Sequence, residues 1–418
     1  MLFLIGLIFE SKISLAFIPG VPFQWDAYIY QYGLHPFMNV LLNLIIGGFL
    51  IFRSTENSLH QYQFYKSYRF YSLLFLVSLL GLTFCQIFLT DTTNPPLMSL
   101  GAAVLVGFTI TLYGQIIPRH LPANTFIRAI LNFSVIFCWL SLILFFISPD
   151  TSFKGGRFIG IFKHIPYMVT CATLACQMLI YNFFVAERNA HQKIFDYLSF
   201  ATAFFILILT GTRSALFAVI ISYFLAGILF PAKKATTQFI KTAISMTVIL
   251  AALLFGNQII NYVTNVVTGQ TAIGYRAAQD GVASRLDEFE RGYGIFKKNQ
   301  FLGTGLLSKF GEISEAEVGQ YNANKDPHNL LISAGVIGGW LFLVLVAIGF
   351  LGLILATFSK LRGRDTNLKI LAIYVATQIP VLFIYHMHLS VGGMADRIYW
   401  IMFGYMMVLI NTNRREST

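Results

Sequence analysis

The 418-residue chain is short of charge. Asp, Glu, Lys and Arg together make up 11% of it, against about 25% in a soluble globular protein. Acidic residues are the scarcer sign, 18 against 29 Lys and Arg. No Asp-x-Asp pair or acidic cluster stands at a helix end on the outer side assigned below, so no metal and no cofactor are expected. Cysteine is also sparse. Cys85, Cys138, Cys171 and Cys176 each lie inside an apolar run, where a thiol is a small core residue rather than a ligand or half of a disulfide. The first 18 residues lack a basic start and are interrupted by Glu10 and Lys12, which points to a first spanning helix and not a cleaved leader. Internal repeats and low-complexity tracts are missing.

Apolar sequence fills the space that charge leaves. Hydrophobic residues account for 56% of the chain, and the mean hydropathy is +0.68. Apolar runs, most of them of about 17 residues or more and so long enough to cross a hydrocarbon core of about 30 Å, recur at 2–18, 36–52, 72–89, 97–117, 127–147, 166–186, 194–211, 213–230, 242–257, 329–358, 369–386 and 398–411. The expected fold is therefore all-α, a polytopic integral membrane protein of about twelve transmembrane helices. Residues 1–257 hold helices one to nine, 258–327 form one long outer loop, and 328–418 hold helices ten to twelve.

The stretch 194–230 is too long for one crossing, and it contains Arg213 at its middle. A charge at the centre of a spanning helix costs roughly 2.5–3.5 kcal/mol on insertion scales. The tetrapeptide "TGTR", a glycine among polar residues, makes a tight turn there and places Arg213 at the membrane surface.

Short-loop charge orients the helices. With the amino terminus inside, the inner connections carry Arg53, Lys66 and Arg69; Arg119 and Arg128; Arg188 and Lys193; Lys233, Lys234 and Lys241; Lys360, Arg362, Arg364 and Lys369; and Arg414 and Arg415. The outer connection "DTTNPP" at 91–96 has none. The net charge of +11 thus reads as inner-loop bias and gives no reason to expect nucleic acid as a partner. The long connection falls outside. Within it "VASRLDEFERGYGIFKK" reads as an amphipathic helix with Leu286, Phe289, Tyr293 and Phe296 on one stripe, and "NQFLGTGL" ends that helix with Gly303 and Gly305.

On this topology the unusual polar residues gather on the outer side. Arg157 lies in "GGRFIGIFKHIP" before helix six, Arg213 at the turn, Arg285 in the long loop, His328 in "KDPHNLL", and Arg397 in "GGMADRIYW". Several arginines around a histidine beside a bilayer suit a diphosphate-bearing lipid, because guanidinium forks bind phosphate oxygens in pairs. Each residue has a plainer role too. A lone interfacial arginine more often snorkels to lipid phosphates, and His328 with Asn329 can simply open helix ten behind Asp326 and Pro327. Lys154, Lys163, His164, Arg276 and Arg291 read as surface charges; His386 and His388 lack a third ligand and read as structural.

"GTRSAL" between two helices, "SRLDEFERGYGIFKKNQFLGTGL" in a long outer loop and "PHNLLISAGVIGG" opening a helix resemble, in that order and spacing, the bacterial O-antigen ligase and O-antigen polymerase superfamily. The likeness covers roughly residues 150–400, and "GRFIGIFKHIPYM" resembles the family's segment before helix six. The resemblance implies an inverting, metal-independent glycosyltransferase of the bacterial inner membrane whose site faces the periplasm. Its donor would be an undecaprenyl-diphosphate-linked glycan; its acceptor, a lipid-linked repeat unit or lipid A-core. Membrane lipids and a chain-length regulator would be further partners. By motif match the catalytic residues would be His328, Arg213 and Arg285. Arg157 and Arg397 of the outer cluster, and Asn329, would bind diphosphate or glycan.

The residue types fit such chemistry. A neutral histidine can take the acceptor hydroxyl's proton, and fixed arginines stabilise the charge growing on the departing diphosphate. Ligases often show a second histidine before the histidine–asparagine pair, whereas Pro327 stands there in this chain, which favours a polymerase over a ligase. A protein O-oligosaccharyltransferase is disfavoured by the lack of an extra outer domain. A lipid-linked glycan transporter would place its charges near the bilayer midplane, and here they lie at one face.

Overall fold

Apolar periodicity becomes helix through most of the residues that the computed structural model describes, namely 45, 66–89, 100, 103–104, 107, 112–154, 157–162, 165–230, 282–305, 329–358, 366–382 and 394–412. In chain order the elements are α1 (Lys66–Leu89), a π-helical turn (Leu112–Ile116) running into the single turn α2 (Ile117–His120), and α3 (Ala123–Ile147). A 3-10 turn (Asp150–Ser152) leads into β1 (Phe153–Lys154) and β2 (Arg157–Phe158), followed by α4 (Ile165–Phe184), α5 (Ala190–Thr210) and α6 (Arg213–Leu229). Then come α7 (Val282–Lys298), α8 (Leu330–Phe358), α9 (Thr366–Leu382) and α10 (Met394–Thr412).

Five of these helices, over 70–88, 123–147, 165–184, 190–210 and 330–349, are long and apolar enough to cross a membrane, and 214–229 and 398–409 are shorter apolar helices. The expected runs at 2–18 and 242–257, and all of 36–52 but one residue, lie outside the described residues, as does most of 97–117. One departure from the all-α expectation is small: β1 and β2 form an antiparallel hairpin pairing Phe153 with Phe158 and Lys154 with Arg157.

The chain divides into two compact units. The first comprises Met1–Thr55, Leu121–Ala278 and Asp365–Gln378. At its centre is α4, which packs against α3, α5 and α6. Ten successive residues, 171–180, are buried, as befits a helix apolar on every side. Small residues such as Cys171, Ala172, Ala175 and Cys176 let the neighbouring helices approach closely. Three of the four free cysteines are buried, and Cys85, in the second unit, is half-buried. Polar side chains join helices within this core. Gln177 donates to the Ser222 hydroxyl on α6 at 2.6 Å and to the Thr377 hydroxyl on α9 at 2.8 Å. On α3 the opposite stripe, Ile136, Leu140, Ile143, Phe146 and Ile147, is exposed. That surface suits acyl chains and not water.

The second unit comprises Glu56–His120, Gln279–Arg364 and Ile379–Thr418. Phe75 of α1 stands against Phe342 of α8 with ring centroids 5.1 Å apart and against Trp400 of α10 at 6.3 Å. The π-helical turn lies on α10, where Gly404 brings the two backbones together at Gly114.

The expected single run 329–358 is not one straight helix. Gly338 (φ −143°, ψ 24°) and Gly339 (φ 66°, ψ −160°) leave the helical region and break α8 in two.

Candidate functional site

The turn expected at "TGTR" forms, and its geometry follows from its residues. Helix α5 begins with a capping box, in which the Asn189 side chain accepts from Gln192 N at 2.8 Å and the Gln192 side chain accepts from Asn189 N at 3.3 Å. It ends at Gly211 in the left-handed region (φ 63°), whose N–H donates to Ile208 O at 2.9 Å. Thr212 precedes α6 in an extended conformation but places no side-chain bond on the helix amides. Its hydroxyl instead accepts from Arg157 Nη2 at 2.8 Å, while Arg157 Nε donates to Thr210 O at 2.8 Å. One half-buried guanidinium therefore grips both sides of Gly211. It also lies against the carbonyl end of α5, where the helix dipole favours a cation. Arg213 is the first residue of α6.

Arg157 projects from a firm base. Phe158 beside it is fully buried, with its ring 5.4 Å from Phe153 and 6.0 Å from Phe145. Ser152 O accepts from Ile159 N at 2.8 Å and from Gly160 N at 3.2 Å. In this unit the structure thus brings Arg157 to the joint that carries Arg213.

In the second unit α7 carries Arg285 in its first turn and docks on α8. Phe296 is buried against Gly335 and lies 5.0 Å, edge to face, from Trp340. The buried face is not quite the expected stripe. Phe296 and Gly292 face inward and Phe289 is half-buried, but Tyr293 is 57% exposed. Gly292 lies on that inward edge, which periodicity of large residues alone does not reveal.

After α7 the segment 299–305 runs back as a strap across the break in α8. Thr304 N donates to Val336 O at 2.7 Å, Gly305 N to Ile337 O at 3.1 Å, and Trp340 N to Gln300 O at 2.8 Å. Gln86 of α1 adds a side-chain bond to Ile337 O at 2.7 Å and another to Leu302 O. The carbonyls of Val336 and Ile337 and the amide of Trp340 are thus paired again beside the two glycines, as an apolar surrounding requires. The strap needs Gly303 (φ 68°) because a Cβ there would stand 2.5 Å from Gly338 N.

Asn329 immediately precedes α8, and its side-chain oxygen accepts from Leu331 N at 3.0 Å and Ile332 N at 3.1 Å. Grouped in the sequence with the binding residues, it caps the helix. His328 lies outside the described residues, as do His386 and His388. Arg397 is in the first turn of α10. Among the described residues no group of three His, Cys, Asp or Glu could hold a metal ion. The sequence did not reveal Thr210 and Thr212 as acceptors for Arg157, nor Gln86 as a partner of α8. The "GG" inside an apolar run of thirty residues was the available signal for the break.

These features define a multi-pass helical membrane protein with an arginine-bearing helical joint and a broken helix closed by its preceding loop. A family model described as O-Antigen ligase matches residues 198–357. The resemblance to the O-antigen ligase and polymerase superfamily therefore stands over the segment that holds Arg213, Arg285, His328 and Asn329, while Arg157 and Arg397 lie beyond it. Comparison with curated proteins finds no match.

Proposed function

We propose that this protein is a membrane glycosyltransferase that polymerises surface-polysaccharide repeat units at the periplasmic face of the bacterial inner membrane. It takes glycan from undecaprenyl diphosphate and transfers it to a sugar hydroxyl of a lipid-linked acceptor, with inversion at the anomeric carbon and without a metal. Arg213 and Arg285 hold the diphosphate and stabilise the charge it gains on leaving, and Arg397 adds to donor binding. His328 takes the proton of the attacking hydroxyl. The observation that carries this reading is the family match over 198–357, which encloses the joint, α7, the strap and the start of α8.

The second reading is a ligase that transfers finished glycan to lipid A-core, favoured by the description of the matched family as O-Antigen ligase. Pro327 before His328 supports the polymerase. Gene deletion separates them. Loss of a polymerase leaves lipid A-core capped by a single repeat unit, because the ligase still transfers what the carrier presents. Bare lipid A-core with long chains accumulating on undecaprenyl diphosphate identifies the ligase. Purified protein is expected to transfer glycan in excess EDTA; activity that disappears and returns with Mg²⁺ or Mn²⁺ overturns the metal-free scheme.

A further inference from the structure

We infer that Arg157 is a positioning residue: it serves transfer by fixing the joint from which Arg213 springs, and not by touching the donor. This rests on the reading that Arg213 holds the diphosphate. Gly211 is the pivot of the joint, left-handed (φ 63°) and without a Cβ to limit it. Thr212 ordinarily would steady the next helix by capping its amides, yet its hydroxyl forms no such bond. What holds the joint is the fork of Arg157, one nitrogen on Thr210 O and another on the Thr212 hydroxyl, both at 2.8 Å. These two acceptors lie 53 and 55 residues along the chain from it. The bonds therefore tie the α5–α6 turn to the β1–β2 hairpin, whose Phe158 is sealed in the core.

Arginine is the side chain suited to this task. Its planar guanidinium reaches two acceptors at a fixed spacing, whereas an ammonium reaches them as a point charge. A loosened joint would let Arg213 wander from the place where charge develops, and displacement of about 1 Å can cost on the order of 10²-fold in rate.

The test uses the full-length protein in nanodiscs. Hydrogen exchange is followed in peptides spanning 208–216, and transfer is measured with a lipid-linked repeat unit, for Arg157→Ala, Arg157→Lys, Thr212→Val and the Arg157→Ala/Thr212→Val pair. Exchange at the joint should quicken several-fold in Arg157→Ala and in Thr212→Val. Both should lose kcat, on the order of 10-fold to 10²-fold, with donor KM little changed, and the pair should lose no more than the worse single variant. Arg157→Lys should recover part of the loss. Unchanged exchange in Arg157→Ala overturns the clamp. A raised donor KM in Arg157→Ala with full activity in Thr212→Val also overturns the inference, because Arg157 then touches the donor itself. If the native protein transfers no glycan, the reading of Arg213 fails, and the exchange measurement alone still decides whether Arg157 holds the joint.

Discussion

Asn329 and His328 are adjacent, yet the proposed mechanism gives them different work. The Asn329 oxygen takes two amides of the first turn of α8. Losing such a cap costs about 1 kcal/mol. Asn329→Ala should therefore lower yield and the thermal midpoint in detergent while each folded molecule turns over at close to the native rate. His328→Ala should do the reverse: donor binding and stability persist, and transfer falls by roughly 10²–10⁴-fold, as for loss of a general base. Donor binding and transfer rate on well-folded samples distinguish the two, and near-normal transfer by His328→Ala would leave that residue as a helix-start residue only. The cap was legible because Asn before an apolar run is a helix-start signal. The acceptors of Arg157 were not, since a hydroxyl and a carbonyl more than fifty residues away leave no local pattern.

At the scale of elements, seven of the apolar runs became helices close to their expected bounds, and the split of 194–230 fell where the glycine and polar residues placed it. Periodicity and length suffice where a helix is decided by its own composition. They fail at α8, whose break depends on outside partners: Thr304, Gly305, Gln300 and Gln86 supply the bonds that make two non-helical glycines tolerable. Seventeen residues of apolar sequence look alike whether or not something comes to meet them. The interdependence can be measured. Gly303→Ala places a methyl group against the Gly338 backbone in a left-handed conformation that alone costs roughly 1–2 kcal/mol. It should lower the thermal midpoint and speed hydrogen exchange at 336–340, far from the mutated residue in sequence. Unaltered exchange there would mean that the strap does not support the break.

For the whole molecule, the charge count predicts that Ala323 and Gly363 lie on opposite sides of the membrane. A cysteine introduced at Ala323 should react with an impermeant thiol reagent in intact spheroplasts, and one at Gly363 only after permeabilisation. Labelling at Gly363 in sealed cells would reverse the orientation and put His328 on the wrong face for a periplasmic donor.

The strap also sets an order of events during synthesis. Its residues, 299–305, leave the ribosome before the carbonyls of Val336 and Ile337 that they will meet, and Gln86 emerges 251 residues before Ile337. The bonds from the strap and from Gln86 to Val336 and Ile337 cannot form until α8 has been delivered. A chain halted short of residue 336 contains the strap and Gln86 and neither of these carbonyls. This part of the fold therefore cannot be completed before residues 336 and 337 have been made, however early its other members emerge.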